Sequence, residues 1–68
     1  MKEQDIQRLK AHLRSTFCND GIELKVRPKQ KDSVEVYIGE EFVGVLYEDE
    51  DEEGSFMFEM AILAEDLD

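Results

Sequence analysis

The sequence predicts an α+β domain, with an N-terminal helix packed on one face of a four-stranded antiparallel β-meander (αββββ). Three observations predict it. Apolar residues recur at helical spacing as far as Phe17, and from Ile22 onward they fall at every second position. Turn-forming clusters then divide the alternating stretch into separate strands. At 68 residues the chain makes one domain, near the size at which a single core barely suffices.

The helix is expected over residues 3–17. Ile6, Leu9, Leu13 and Phe17 share one narrow stripe, with Glu3 and Asp5 in the first turn and Arg14 near the last, as the helix dipole prefers. Asn19-Asp20-Gly21 stops it, with Gly21 or Asn19 able to take the left-handed conformation. The first strand, 22–27, turns Ile22, Leu24 and Val26 to one face and Glu23, Lys25 and Arg27 to the other. Pro28 ends it by removing a ladder donor. The second strand, 33–38, alternates through Val34, Val36 and Ile38. Closing that hairpin at Arg27 and Ser33 brings Lys25 opposite Glu35, a favourable cross-strand pair.

Gly39-Glu40-Glu41 forms a tight turn into the third strand, 42–48, and its length decides which face is buried. A two-residue turn sets Val43, Val45 and Tyr47 beside Val36 and Ile38, whereas a three-residue turn with a bulge buries Phe42 and Leu46. The first arrangement is expected, because it lets the Tyr37 ring cover Gly44. The fourth strand, 55–63, presents Phe56, Phe58, Met60 and Ile62 to the core, and 64–68 is a short frayed tail. The opposite face then carries Tyr37, Phe42, Leu46, Met57 and Ala61 among charged neighbours. So many apolar side chains on so short a chain mark an expected interface at Tyr37, Phe42, Leu46 and Met57. Its occupant is expected to be a protein partner or a second copy in a homodimer.

The net charge of −10 is unevenly spread. All eight Lys and Arg residues lie in positions 1–31 with four acids, a balance of +4, while positions 32–68 hold fourteen acids and no Lys or Arg. Such polarity steers a charged partner or orients a second copy. Overall acidity argues against duplex nucleic acid, and the basic stretch KVRPKQK has no aromatic to stack on a base. One cysteine, Cys18, excludes an intramolecular disulfide and suits a reducing cytoplasm. The apolar runs are too short to cross a bilayer, so no membrane is expected.

Catalytic chemistry finds little to work with, and no enzyme is expected. His12 and Cys18 are the sole imidazole and thiol. Six helical positions separate them by about 240° around the axis, on different faces. No Gly-rich phosphate loop precedes a helix, so no cofactor is expected. One Cys and one His cannot close a tetrahedral zinc site. The run EDEDEEG at 48–54 opens like an EF-hand, with Asp49, Asp51 and Glu53 in the first ligand positions and Gly54 at the turn. Met60 then stands where the bidentate Glu is required, and strands flank the run. A solvated hairpin tip is the expectation, and weak divalent-cation binding through Asp49, Asp51 and Glu53 is the alternative.

The segments VYIGEEFVGVLYEDE and FMFEMAIL, behind a helix ending in HLRSTF and a basic RPKQKDS link, resemble a family known only as a domain of unknown function. Its members are small, chiefly alphaproteobacterial proteins, and the likeness runs over nearly the whole chain. The resemblance implies a cytoplasmic bacterial protein built as one unit. It brings no catalytic residue, cofactor or partner with it. The functional expectation is a non-enzymatic protein-interaction module.

Overall fold

Helix α1 runs Glu3–Thr16 and begins directly after Lys2, whose backbone is extended. The computed structural model describes residues 1–60 and 62–67, with those at 30 and 31 described by their backbone alone. Glu3 and Asp5 occupy the first turn of α1 and Arg14 the last, so each charge complements the nearer end of the dipole. Ile6 and Leu13 are buried and Leu9 packs against them in part. Phe17 departs from the expected stripe. It is the C-cap rather than a helical residue, more than half exposed, with its ring edge-on to Phe58 at 6.5 Å between centroids.

The stop signal also works differently from its sequence reading. Asn19 N–H donates to the Arg14 carbonyl at 3.0 Å and Cys18 N–H to the Ser15 carbonyl at 3.3 Å, which together form a Schellman motif. The left-handed residue is therefore Cys18, with φ +52°, and neither Asn19 nor Gly21. Asn19 instead accepts the Gly21 N–H on its side-chain oxygen at 2.8 Å.

Four strands follow: β1 Ile22–Arg27, β2 Gln30–Ile38, β3 Glu41–Glu48 and β4 Phe56–Met60. They pair antiparallel in the order β1-β2-β3-β4, the meander expected from the alternation. Lys25 pairs with Glu35 as predicted. The hairpin closes more tightly than expected, because Arg27 pairs with Gln30 and the extra residues of β2 are taken up in an irregularity next to Val26. The expected start at Ser33 thus moves to Gln30. Ser33 is buried, and its hydroxyl accepts from Arg27 Nη1 at 3.3 Å.

The third strand corrects the expected register. The turn is the two-residue one, with Ile38 paired to Glu41. A bulge then skips Val43, so that Tyr37 pairs with Phe42 but Val36 with Gly44 and Val34 with Leu46. One extra residue exchanges the faces of everything after it. Leu46 consequently lies in the core at 3 % exposure, and Val45 and Tyr47 are not beside Val36 and Ile38. Gly44 is covered by Phe58 and not by Tyr37. A β-carbon at Gly44 would lie 2.6 Å from the Phe58 ring and collide with the Glu59 carbonyl oxygen.

The core comprises Ile6 and Leu13 of α1 with Ile22, Val34, Val36 and Leu46 of the sheet. Each such side chain contributes about 1.5–3 kcal/mol by leaving water. Several residues expected on the core face are not covered: Val26, Ile38, Met60 and Ile62 are all exposed. Strand β4 stops at Met60 instead of 63, and a short 3-10 turn, η1 (Ala64–Asp66), replaces the expected frayed tail. Ala61, expected on the outer face, lies outside the described residues.

Candidate functional site

Helix α1 runs antiparallel to β1, so its N-terminus lies at the end of the sheet that carries the β3–β4 loop. The Met1 amine stands 3.9 Å from a Glu48 carboxylate oxygen at that end. Fourteen residues span about 21 Å of axis, close to the length of six-residue β1, and at the other end of the sheet Ile22 is covered while Ile38 and Met60 are not. There a groove of about 270 Å³ opens, lined chiefly by Leu13, Phe17, Ile38, Val43, Phe58 and Met60. A shallower hollow of about 330 Å³ continues it past Val43 and Met60 to Ile62 and Leu67.

Phe17, Ile38, Met60, Ile62 and Leu67 are exposed by 55, 39, 58, 65 and 76 % respectively. One is aromatic and four are aliphatic, and together they offer on the order of a few hundred Å² of apolar surface, the size of the largest patch on an ordinary monomer. Sequence reading assigned Phe17, Met60 and Ile62 to the core and so missed this surface. The signal was present, since the alternating strands hold more inward-facing apolar residues than one short helix can cover.

The outer face of the sheet is less open than expected. Tyr37 and Phe42 pack edge to face at 5.6 Å, and Lys25 Nζ sits 4.3 Å above the Tyr37 ring. The Tyr37 hydroxyl donates to Glu35 Oε1 at 3.2 Å. Partial withdrawal from water, and then the Glu35 carboxylate, push the Tyr37 pKa above the usual phenol range. Met57 is exposed on this face beside Tyr47. Of the four expected interface residues, Tyr37, Phe42 and Met57 share this face, and Leu46 is removed to the core by the bulge.

The acidic run forms the loop between β3 and β4. Asp49 N–H bonds the Ser55 carbonyl at 2.9 Å, and Asp49 Oδ1 accepts the Asp51 N–H at 2.9 Å. Gly54 takes φ +87° at the reversal. Asp49, Asp51 and Glu53 do not converge, and among the described residues no three His, Cys, Asp or Glu side chains gather to hold a metal ion. A cleft of about 420 Å³ separates this loop from α1, where Lys2 and Arg8 face Glu48, Asp49, Glu50 and Glu53.

His12 lies 3.3 Å from the Thr16 hydroxyl oxygen and is exposed. Cys18 is exposed, with its thiol 3.8 Å from the Ser15 carbonyl. Among the described residues no helix is long and apolar enough to cross a membrane.

No curated protein and no solved structure matches this chain. A family match spans residues 5–66, which takes in α1 from Asp5 onward, the whole sheet and η1. The chain belongs to the family described as Protein of unknown function (DUF3126).

Proposed function

We propose that this protein is a non-enzymatic protein-binding module that docks its partner in the apolar groove at the end of the sheet beyond α1. The observation that carries the reading is the continuous apolar surface from Phe17 across Met60 to Leu67, which α1 leaves uncovered. In a chain this small, leaving that much apolar area in water forgoes stabilisation that covering it would have supplied. The reading replaces the outer face as docking surface, because the bulge takes Leu46 away from it and Phe42, packed on Tyr37, also lines the hollow that continues the groove. Cation binding by the β3–β4 loop is not favoured, since its carboxylates diverge and partly bond their own backbone.

Met57 and Met60 provide a matched test. They are exposed to nearly the same degree, 56 and 58 %, but pair with Tyr47 and Gly44 on opposite faces of the sheet. A photoreactive residue at Met60 should yield a discrete cross-linked product in the cells that make the protein, and the same residue at Met57 should not. Cross-linking from Met57 alone, or from neither position, would sink the proposal.

A further inference from the structure

We infer that the occupant of the groove is a segment of another protein that presents apolar side chains flanked by Lys or Arg. The inference rests on the docking role of the groove and adds the chemistry of what fills it. The segments that meet at this end of the sheet are residues 17–22, 38–43, 59–60 and 62–67. They contain Asp20, Glu40, Glu41, Glu59, Glu65 and Asp66, and no Lys or Arg. Glu41 and Asp66 line the hollow that continues the groove. The neighbouring cations are already engaged, Lys25 over the Tyr37 ring and two others on α1. Arg14 donates to Glu23 Oε1 at 2.6 Å and to the Ile22 carbonyl at 2.9 Å, and Lys10 pairs with the other Glu23 oxygen at 3.7 Å. An apolar floor with an acidic rim selects a partner of opposite sign, because like charges brought together on docking cost several kcal/mol.

A second copy does not supply that sign. A two-fold dimer through the groove would set one acidic rim against the other. Head-to-tail packing would bring up the opposite end of the sheet, where Lys2, Arg8 and the Arg27–Lys29 turn stand at the same end as the Glu48–Glu53 run, so that acids as well as cations would meet the rim. A partner whose basic residues stand without a neighbouring acidic run fits better than either. An amphipathic helix with one apolar stripe between Lys residues is the simplest form of it.

The test uses the full chain and two synthetic fourteen-residue helical peptides, one of Leu and Lys, the other with Glu in place of every Lys. Titration followed by backbone amide shifts should show the Leu–Lys peptide binding at least about tenfold more tightly, with shifts confined to Phe17–Ile22, Ile38–Val43 and the residues around Met60. The double variant Glu40→Lys/Glu41→Lys should weaken that binding by about tenfold or more. Glu50→Lys/Glu52→Lys makes the same change in net charge at the far end and should leave it within about threefold. Equal weakening by both double variants would reduce the attraction to overall charge and overturn the inference. So would equal affinity for the two peptides, or a dimer in sedimentation velocity that Met60→Glu dissociates. Cross-links from Met60 in cells, without any preference for the basic peptide, would leave the groove a docking surface and overturn only the chemistry of its occupant.

Discussion

The two ends of the sheet are both rich in carboxylates and differ in what surrounds them. At the loop end the Glu48–Glu53 run stands beside the Met1 amine, Lys2 and Arg8, and α1 covers the sheet except at the exposed Val26. At the groove end the acids meet no Lys or Arg within their own segments, and Ile38 and Met60 lie in the open. The linear polarity of the chain, basic first and acidic after, thus does not become a basic pole and an acidic pole. Antiparallel folding returns the start of α1 to the end of β3 and places cations against the longest acidic run. What remains distinctive is the quieter set of acids around apolar side chains.

The largest expected effect tests whether the ends differ in burial as well as charge. Leu46→Ala removes a side chain packed under α1 beside Val34 and should cost about 2–5 kcal/mol. Met60→Ala makes a similar truncation at the open end and should cost less than about 1 kcal/mol, since Met60 is mostly in water already. Urea denaturation of both variants decides it, and comparable losses would mean the groove is closed in solution. Gly44→Ala comes next, at about 1–3 kcal/mol, because the new methyl meets the Phe58 ring and the β4 backbone with no flexible neighbour to yield.

The helix, the meander and the Lys25–Glu35 register were legible because period and turn chemistry are local properties. The groove was not, and the reason is a single residue. Two readings of the Gly39–Glu41 turn were weighed, and the observed strand combines the two-residue turn of one with the buried Leu46 of the other. A bulge at Val43 does that without any marker in the composition of β3. The glycine beside it gave a hint that was read in the wrong direction. Gly44 signals close approach of a neighbouring strand, here β4 with Phe58, rather than a vacancy for Tyr37. Coverage was a second illegible quantity. Alternation shows which residues face inward but not how far along the sheet a helix ends, and so Met60 and Ile62 read as core.

A smaller change separates the ends through the backbone of the α1–β1 connection. Cys18 holds φ +52° at the position where helices ordinarily place glycine, a conformation that costs a residue with a β-carbon about 1–2 kcal/mol. Cys18→Gly relieves that cost but gives the unfolded chain more freedom, so the net gain should be roughly 0.5–1 kcal/mol. Thermal unfolding should show a rise of a few degrees. By contrast, Glu50→Gln at the solvated loop should shift stability by less than about 0.5 kcal/mol. A stabilisation at Glu50 exceeding that at Cys18 would mean that self-repulsion in the acidic run, not the helix end, is the weaker point of the fold.

The smallest effect lies on the outer face, at Tyr37, where Lys25 and Glu35 act on one ring from opposite sides of the charge scale. Partial burial is the larger cause of the raised pKa and the hydrogen bond to Glu35 the second. The chain has two tyrosines, so Tyr47→Phe isolates the absorbance of Tyr37 in an alkaline titration. Its midpoint should lie above about 10, the value of an unfolded tyrosine. Adding Glu35→Gln should lower the midpoint without returning it fully, because burial remains. The sign for stability follows. A folded pKa above the unfolded one favours the protonated form in the fold, so the contribution is complete below the unfolded value and is lost as pH rises through the folded one. Stability should therefore fall more steeply across that window in Tyr47→Phe than in Tyr37→Phe/Tyr47→Phe. A midpoint fully restored by Glu35→Gln would instead make the carboxylate the principal cause and the ring well solvated, reopening the outer face as the more accessible surface for a partner.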